Sequence, residues 1–178
     1  MPEPERVVLL DDHGRPAGTA LKSEVHGQDT PLHLAFSCYL FDEAGAVLVT
    51  RRALTKRTWP GVWTNSFCGH PGPGEELPEA VHRRAREELG ATVRDVSCEI
   101  PGFRYRAIDA SGIVENEICP VHTAVIDGDL EPDPSEVSEW AWVRPEDLRA
   151  AVEAAPFAFS PWLVEQLPQL TPGTGPPR

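Results

Sequence analysis

The stretch TNSFCGHPGPGEE, residues 64–76, sets Cys68 two positions before His70 and follows both with glycines, prolines and two glutamates. A thiol can fill a core, close a disulfide, bind a metal or carry a proton, and residue type alone leaves these open. Cys38, Cys98 and Cys119 stand singly and far apart, and no C-x-x-C pair occurs. That argues against a four-cysteine zinc site and a thioredoxin-like couple. MPEPERVVLLDDHG at the N-terminus has no basic segment leading into a long apolar stretch, so free thiols and a cytoplasmic setting are expected.

Glu115 and Glu117 alternate in SGIVENE, so on a strand they project to one face, where two carboxylates repel unless a cation or proton intervenes. His26, His33 and His70 come from separate pieces of chain, and no two of them have a standard metal-binding spacing. In LPEAVHRRAREELG, Arg84 and Glu88 share a helix face, as do Arg83 and Glu87. Taken alone, that pattern equally fits a surface helix laced with ion pairs.

The balance of 16 basic against 28 acidic residues, net charge −12, speaks against nucleic-acid binding. The cations nevertheless gather in two short stretches, Arg51, Arg52, Lys56 and Arg57, then Arg83, Arg84 and Arg86. Such clusters suit a small, highly charged anion, or a solvated face. No apolar run approaches the roughly 18 residues of a membrane span.

The elements that must position these groups alternate strands with a few helices. RVVLLDD and AGTALKSE read as a hairpin about His13 and Gly14, LHLAFSCYLF as one apolar strand, DEAG as a turn and AVLVTRR as its return. A glycine-punctuated loop leads to a helix from about Glu75 to Leu89, which Gly90 stops. VSCEIPGFRYRAID, VENEICPVHTAVI and SEWAWV supply further strands, and PEDLRAAVEAA and FSPWLVEQL two helices. A length of 178 residues with 40% hydrophobic residues suits one domain, expected over residues 1–170, with a disordered tail at 171–178. The fold class is α+β.

From Gly69, five residues lead to Glu75, seven more to Arg83, and Glu87, Glu88 and Gly90 follow. This frame resembles the Nudix box, whose helix carboxylates hold divalent cations against a diphosphate. One position departs: Arg84 stands where the box has a glutamate. A cation there should weaken multi-metal binding and favour direct contact with phosphate oxygens. With LHLAFS, LVTRRAL, WPGVWTNS, CGHP, FRYRA, SGIVENE and FSPW in this order, residues 6–165 resemble the type I isopentenyl-diphosphate Δ-isomerases. Those enzymes use the Nudix fold without hydrolysing diphosphate.

The resemblance implies a Nudix-like mixed β-sheet core packed by helices, with an N-terminal hairpin extension. It implies that His26, His33, His70, Glu115 and Glu117 bind one divalent metal, Mn2+, Mg2+ or Zn2+. Further, it implies that Glu88 and the Cys68 backbone carbonyl bind Mg2+ with the diphosphate, and that Lys22, Arg52, Lys56 and Arg84 surround the substrate. Cys68 and Glu117 match the proton-transfer pair, Tyr105 an assisting tyrosine, and Trp162 an aromatic face that shelters a carbocation. The partners implied are small allylic and homoallylic diphosphates, with no nucleic acid and no membrane. His13, His82 and His122 match no family position. Arg51, Arg57, Arg83 and Arg86 are left as solvated cations or partners of Glu79 and Glu87. A diphosphate hydrolase and a noncatalytic metal-binding module are the competing readings; Arg84 opposes the first, and the presence of Cys68, Glu117 and Trp162 together opposes the second.

Overall fold

The structure, a computed structural model, describes residues 4–173. Of the tail expected to be disordered, residues 174–178 lie outside the described residues. Strands β1 (Arg6–Leu10) and β2 (Pro16–Leu21) form the expected antiparallel hairpin, with Arg6 opposite Leu21. The second strand ends sooner than its sequence suggests. Lys22–Val25 is a single helical turn, α1, which delivers His26 directly after it.

LHLAFSCYLF, expected to be one strand, is two: β3 (His33–Leu34) and β4 (Phe36–Phe41). β5 (Val47–Arg52) returns along it, and the loop region adds β6 (Trp63–Thr64) and β7 (Phe67–Gly69). After helix α2 (Leu77–Leu89) come β8 (Thr92–Ile100), β9 (Arg104–Ile108), β10 (Val114–Ile118), β11 (Val121–Asp127) and β12 (Val137–Val143). Helices α3 (Pro145–Ala154) and α4 (Pro161–Gln166) close the chain. One sheet has the order β2-β1-β3-β10-β9, so the N-terminal hairpin forms its edge. The other runs β12-β5-β4-β11-β8, with β6 on β5 and β7 on β4.

The two sheets share a seam. β3 pairs in parallel with β10, setting His33 opposite Glu117, and β4 pairs in parallel with β11, setting Ser37 opposite Val121. Both segments therefore leave one sheet and enter the other at the same level, at Ala35 and at Cys119–Pro120. Pro120 has no N–H to continue a ladder. Ala35 N donates to Ile118 O at 2.9 Å and Ser37 N to Pro120 O at 3.1 Å, which carries the paired strands across.

β4 is buried along its whole length, because the sheet is covered on both faces. Phe36, Cys38 and Leu40 pack with Ala85 and Leu89 of α2. Tyr39 and Phe41 pack with Leu148 of α3 and Leu163 of α4. Each such leucine or phenylalanine contributes about 1.5–3 kcal/mol on burial. α2 opens with a capping box in which Glu76 and Glu79 satisfy each other's backbone N–H groups. It stops at Gly90, left-handed at φ 59°, where an added Cβ would lie 2.5 Å from the Glu131 carbonyl oxygen.

Candidate active site

At the seam, three of the histidines meet. His33 on β3 faces Glu117 on β10, His26 follows α1, and His70 follows β7. One ligating atom from each of His26, His33, His70 and Glu117 lies within 4.8 Å of the others. His70 Nε2 is 3.1 Å and His33 Nε2 3.3 Å from Glu117 Oε1. Glu115 stands outside that four-group set and joins it through His26, whose Nε2 lies 2.9 Å from Glu115 Oε2. Thr58 donates to the other oxygen of Glu115 at 2.9 Å.

These groups fit a divalent cation. His26 Nε2, His33 Nε2, His70 Nδ1 and Glu115 Oε2 are buried with no hydrogen-bond partner of suitable geometry among the described residues. Such atoms are costly unless an ion or water completes them. His33 Nδ1 sits 2.9 Å from Pro31 O, so Nδ1–H donates there and Nε2 keeps its lone pair. Burial, aided by the neighbouring His33 and His26, pulls His70 down to about 4, against the pull of Glu117, so its ring is neutral at pH 7. Burial works against the Glu117 charge too, but the neighbouring His33 and His70 rings hold it well below 4.5. Glu115 moves the other way, raised by burial and by the Glu117 charge.

A cavity of about 560 Å³ opens beside this cluster and is lined by Cys68, Tyr105, Glu117 and Trp162. Glu117 projects from one sheet and Cys68, on β7, from the other. Tyr105 on β9 donates to Glu117 Oε2 at 2.9 Å, and burial keeps the phenol neutral by pushing it well above 10. The Cys68 thiol is pushed up to about 11 by burial, only partly offset by Ser37 and Asn65. Trp162 has the Tyr105 ring at 5.8 Å and the Arg52 guanidinium at 5.5 Å from its centroid.

Lys22, Arg52, Lys56 and Arg84 line the same cavity, as does Glu88. Carbonyls of the loop fix Arg52, which donates to Thr58 O at 2.8 Å and Trp59 O at 3.2 Å. Lys22 pairs with Glu5 at 2.5 Å, and Lys56 pairs with Glu136. Arg84 donates to Glu88 at 2.8 Å and to Glu87 at 3.1 Å, and its Nε–H is buried without a partner among the described residues. Burial opposes the Arg84 charge, but the Glu88, Glu136 and Glu87 carboxylates outweigh it and raise its pKa. α2 comes this close because Gly69 has no side chain: a Cβ there would lie 2.7 Å from Arg84 Cγ and 2.9 Å from the Phe36 ring.

The NUDIX domain model matches residues 31–163. An isopentenyl-diphosphate Delta-isomerase from Kocuria rhizophila is 64% identical over 92% of this chain and 91% of its own length. Another, from Leifsonia xyli subsp. xyli, is 58% identical over 98% of this chain and 95% of its own. The chain belongs to the isopentenyl-diphosphate Delta-isomerase family. Solved structures agree on the fold of this isomerase family. A Deinococcus radiodurans protein superposes with a TM-score of 0.73 at 21% identity, over 94% of this chain and 100% of that one. A MutT protein from Methanosarcina mazei gives 0.60 at 21% identity, over 78% and 92%.

On this isomerase scaffold three of the remaining cations, Arg51, Arg57 and Arg83, have structural partners, and Arg86 is exposed. Arg83 pairs with Glu75 at 2.7 Å and with Glu87 at 3.1 Å, not with Glu79, which closes the capping box. Arg51 pairs with Glu139 at 2.5 Å, and Arg57 lines the cavity and donates to Ser23 O at 2.8 Å. His122 is buried against Phe36, its Nδ1 3.2 Å from Pro120 O. Sequence reasoning missed Ser37, Thr58, Asn65 and Glu136, which hold the site's residues from behind. Ser37 gave the clearest signal, a hydroxyl in the middle of an apolar strand.

Proposed function

We propose that the chain interconverts isopentenyl and dimethylallyl diphosphate by proton addition and removal through a tertiary carbocation. The arrangement that carries this reading is a thiol, Cys68, and a carboxylate, Glu117, brought from two different sheets to line one pocket beside the histidine cluster. An unactivated alkene is a very weak base, so an acid must deliver a proton to its terminal carbon while a base removes one beyond the branch. Cys68 and Glu117 form that pair. Each turnover leaves their protonation exchanged, so one proton must pass back between the two before the next, and Tyr105, hydrogen-bonded to Glu117, is placed to relay it to or from that carboxylate.

Trp162 and Tyr105 wall the pocket with aromatic faces that exclude water from the cation. Cation–π attraction is worth about 0.5–2 kcal/mol, felt mainly where positive charge develops. Lys22, Arg52, Lys56 and Arg84 bind the diphosphate, for which the unpartnered Nε–H of Arg84 is a ready donor.

His26, His33, His70, Glu115 and Glu117 would hold one divalent metal, Mn2+, Mg2+ or Zn2+. Glu88 and the Cys68 carbonyl would hold Mg2+ at the diphosphate; Arg84 occupies one oxygen of Glu88, and a carboxylate has a second to offer. The metals supply charge neutralisation and control of carboxylate acidity. Residues 1–170 act as one domain, in the cytoplasm; no described helix is long and apolar enough to cross a membrane.

Proton NMR of isopentenyl diphosphate with the metal-loaded protein in D2O tests the reading. Dimethylallyl diphosphate carrying deuterium is the expected product. Unchanged substrate with folded, metal-loaded protein rejects isomerisation.

A further inference from the structure

Asn65, between β6 and β7, is fully buried and stands behind the pocket wall. Its Nδ2 donates to Cys38 O at 3.0 Å and to Phe67 O at 2.9 Å. Both amide hydrogens are thus used, and the oxygen is the end that faces the site. Three groups meet on Oδ1: Trp162 Nε1–H at 3.0 Å, Thr64 Oγ1–H at 2.9 Å and the Cys68 thiol at 3.4 Å. A carboxamide oxygen has two lone pairs, and N–H and O–H are stronger donors than S–H. The indole and the threonine therefore claim the oxygen, leaving the thiol in contact with its hydrogen weakly held.

A second buried string reaches the same sulfur. Tyr39 OH donates to Gln166 Oε1 at 3.0 Å, which turns Gln166 Nε2 to donate to Ser37 Oγ at 2.9 Å. Ser37 keeps its own hydrogen for a sulfur, with Cys119 at 3.3 Å and Cys68 at 3.4 Å. Trp162 and Gln166, one turn apart on α4, are thus each linked to Cys68 through one buried polar side chain.

We propose that Asn65 is a positioning residue for proton transfer: its carboxamide oxygen holds the Trp162 indole by a hydrogen bond and backs the Cys68 sulfur in contact, so that one buried side chain sets the acid–base sulfur relative to the ring that faces the cation. This rests on the isomerase reading of Cys68 and Trp162. A structural role alone, satisfying the Cys38 and Phe67 carbonyls, would affect stability without selecting the chemical step.

The test compares the parent with Asn65→Ala and Asn65→Asp, the latter near-isosteric and able, when protonated, to keep an acceptor and one donor. Asn65→Ala is expected to lower kcat by about 100-fold, the cost of misplacing a reacting group by about 1 Å. Because Asn65 touches neither the phosphate cations nor the metal cluster, KM and metal content should match the parent. Asn65→Asp should fall between the two. Iodoacetamide labelling of Cys68, read by peptide mass spectrometry against the exposed Cys98, should show a changed ratio in Asn65→Ala. A folded Asn65→Ala with parental kcat and labelling ratio overturns the proposal. So does a loss shared by KM and metal content, or failure of both variants to fold, either of which makes Asn65 a residue of the fold alone. A parent that does not isomerise the substrate sinks the functional reading instead, and the labelling ratio then still decides whether Asn65 places the thiol.

Discussion

Cys68 and Glu117 differ in protonation because their surroundings differ. Burial pushes the thiol up to about 11, whereas the Glu117 carboxylate, though also buried, is held low by the neighbouring His33 and His70 rings and accepts a hydrogen bond from Tyr105. Such opposite tuning of two neighbours is what acid–base work requires. Cys68→Ala and Glu117→Gln are each expected to lower kcat by about 10²–10⁴-fold while circular dichroism stays parental. Glu88→Gln should act differently, chiefly raising KM for the diphosphate at limiting Mg2+. Equal loss of folded structure in all three would return these residues to a structural role.

At the scale of elements, the loop from Gly69 to Glu75 and helix α2 are held together by a few contacts that set where the cations sit. Gly69→Ala forces a Cβ into Arg84 Cγ and the Phe36 ring, both in packed surroundings. It is expected to destabilise the protein by about 1–3 kcal/mol and to raise KM by displacing Arg84, checked by thermal unfolding and steady-state kinetics. Farther along the loop, Glu75 accepts from Arg83 at 2.7 and 2.8 Å and from Gly72 N at 2.8 Å, while Arg83 also donates to His70 O at 3.1 Å. The Arg83 hydrogen bond lowers the Glu75 carboxyl below 4.5 in the folded protein. A depressed carboxyl pKa gives stability that is present above the unfolded value and lost as pH falls through the folded one. Glu75→Gln should therefore lose stability at neutral pH, by no more than about 1 kcal/mol for so partly exposed a pair. Its melting temperature should also fall less steeply than the parent's below pH 4.5.

Over the whole molecule, the histidine–glutamate cluster joins chain segments that are distant in sequence: the turn after the hairpin, both seam strands of the first sheet, and the end of β7 on the second. An ion bound only to the folded state stabilises it by mass action, about 2.7 kcal/mol at 100 times Kd. Chelation is expected to lower the melting temperature, and Mn2+ to restore it. His33→Ala should abolish that response while leaving a folded protein, read by calorimetry with and without the ion. A melting temperature indifferent to chelator and metal would remove the cluster from the list of metal sites.

The local elements were legible in the sequence because their signals are local: α2 from about Glu75 to its stop at Gly90, the hairpin about Gly14, the proline-led α3, and the Arg84–Glu88 face. The chemistry-bearing residue types were legible as well, and the motif order around them pointed to the isomerase family. Only the tertiary structure decided the seam. LHLAFSCYLF and VENEICPVHTAVI each read as continuous, since the choice of sheet depends on pairing partners far along the chain rather than on side-chain alternation. The same crossing brings His33 opposite Glu117 and Ser37 opposite Cys68, contacts that no spacing encodes. It also decided that Asn65, Thr58 and Glu136 stand behind the site's residues, because a polar side chain acquires such a role only when burial leaves it no water to bond and the fold supplies its partners.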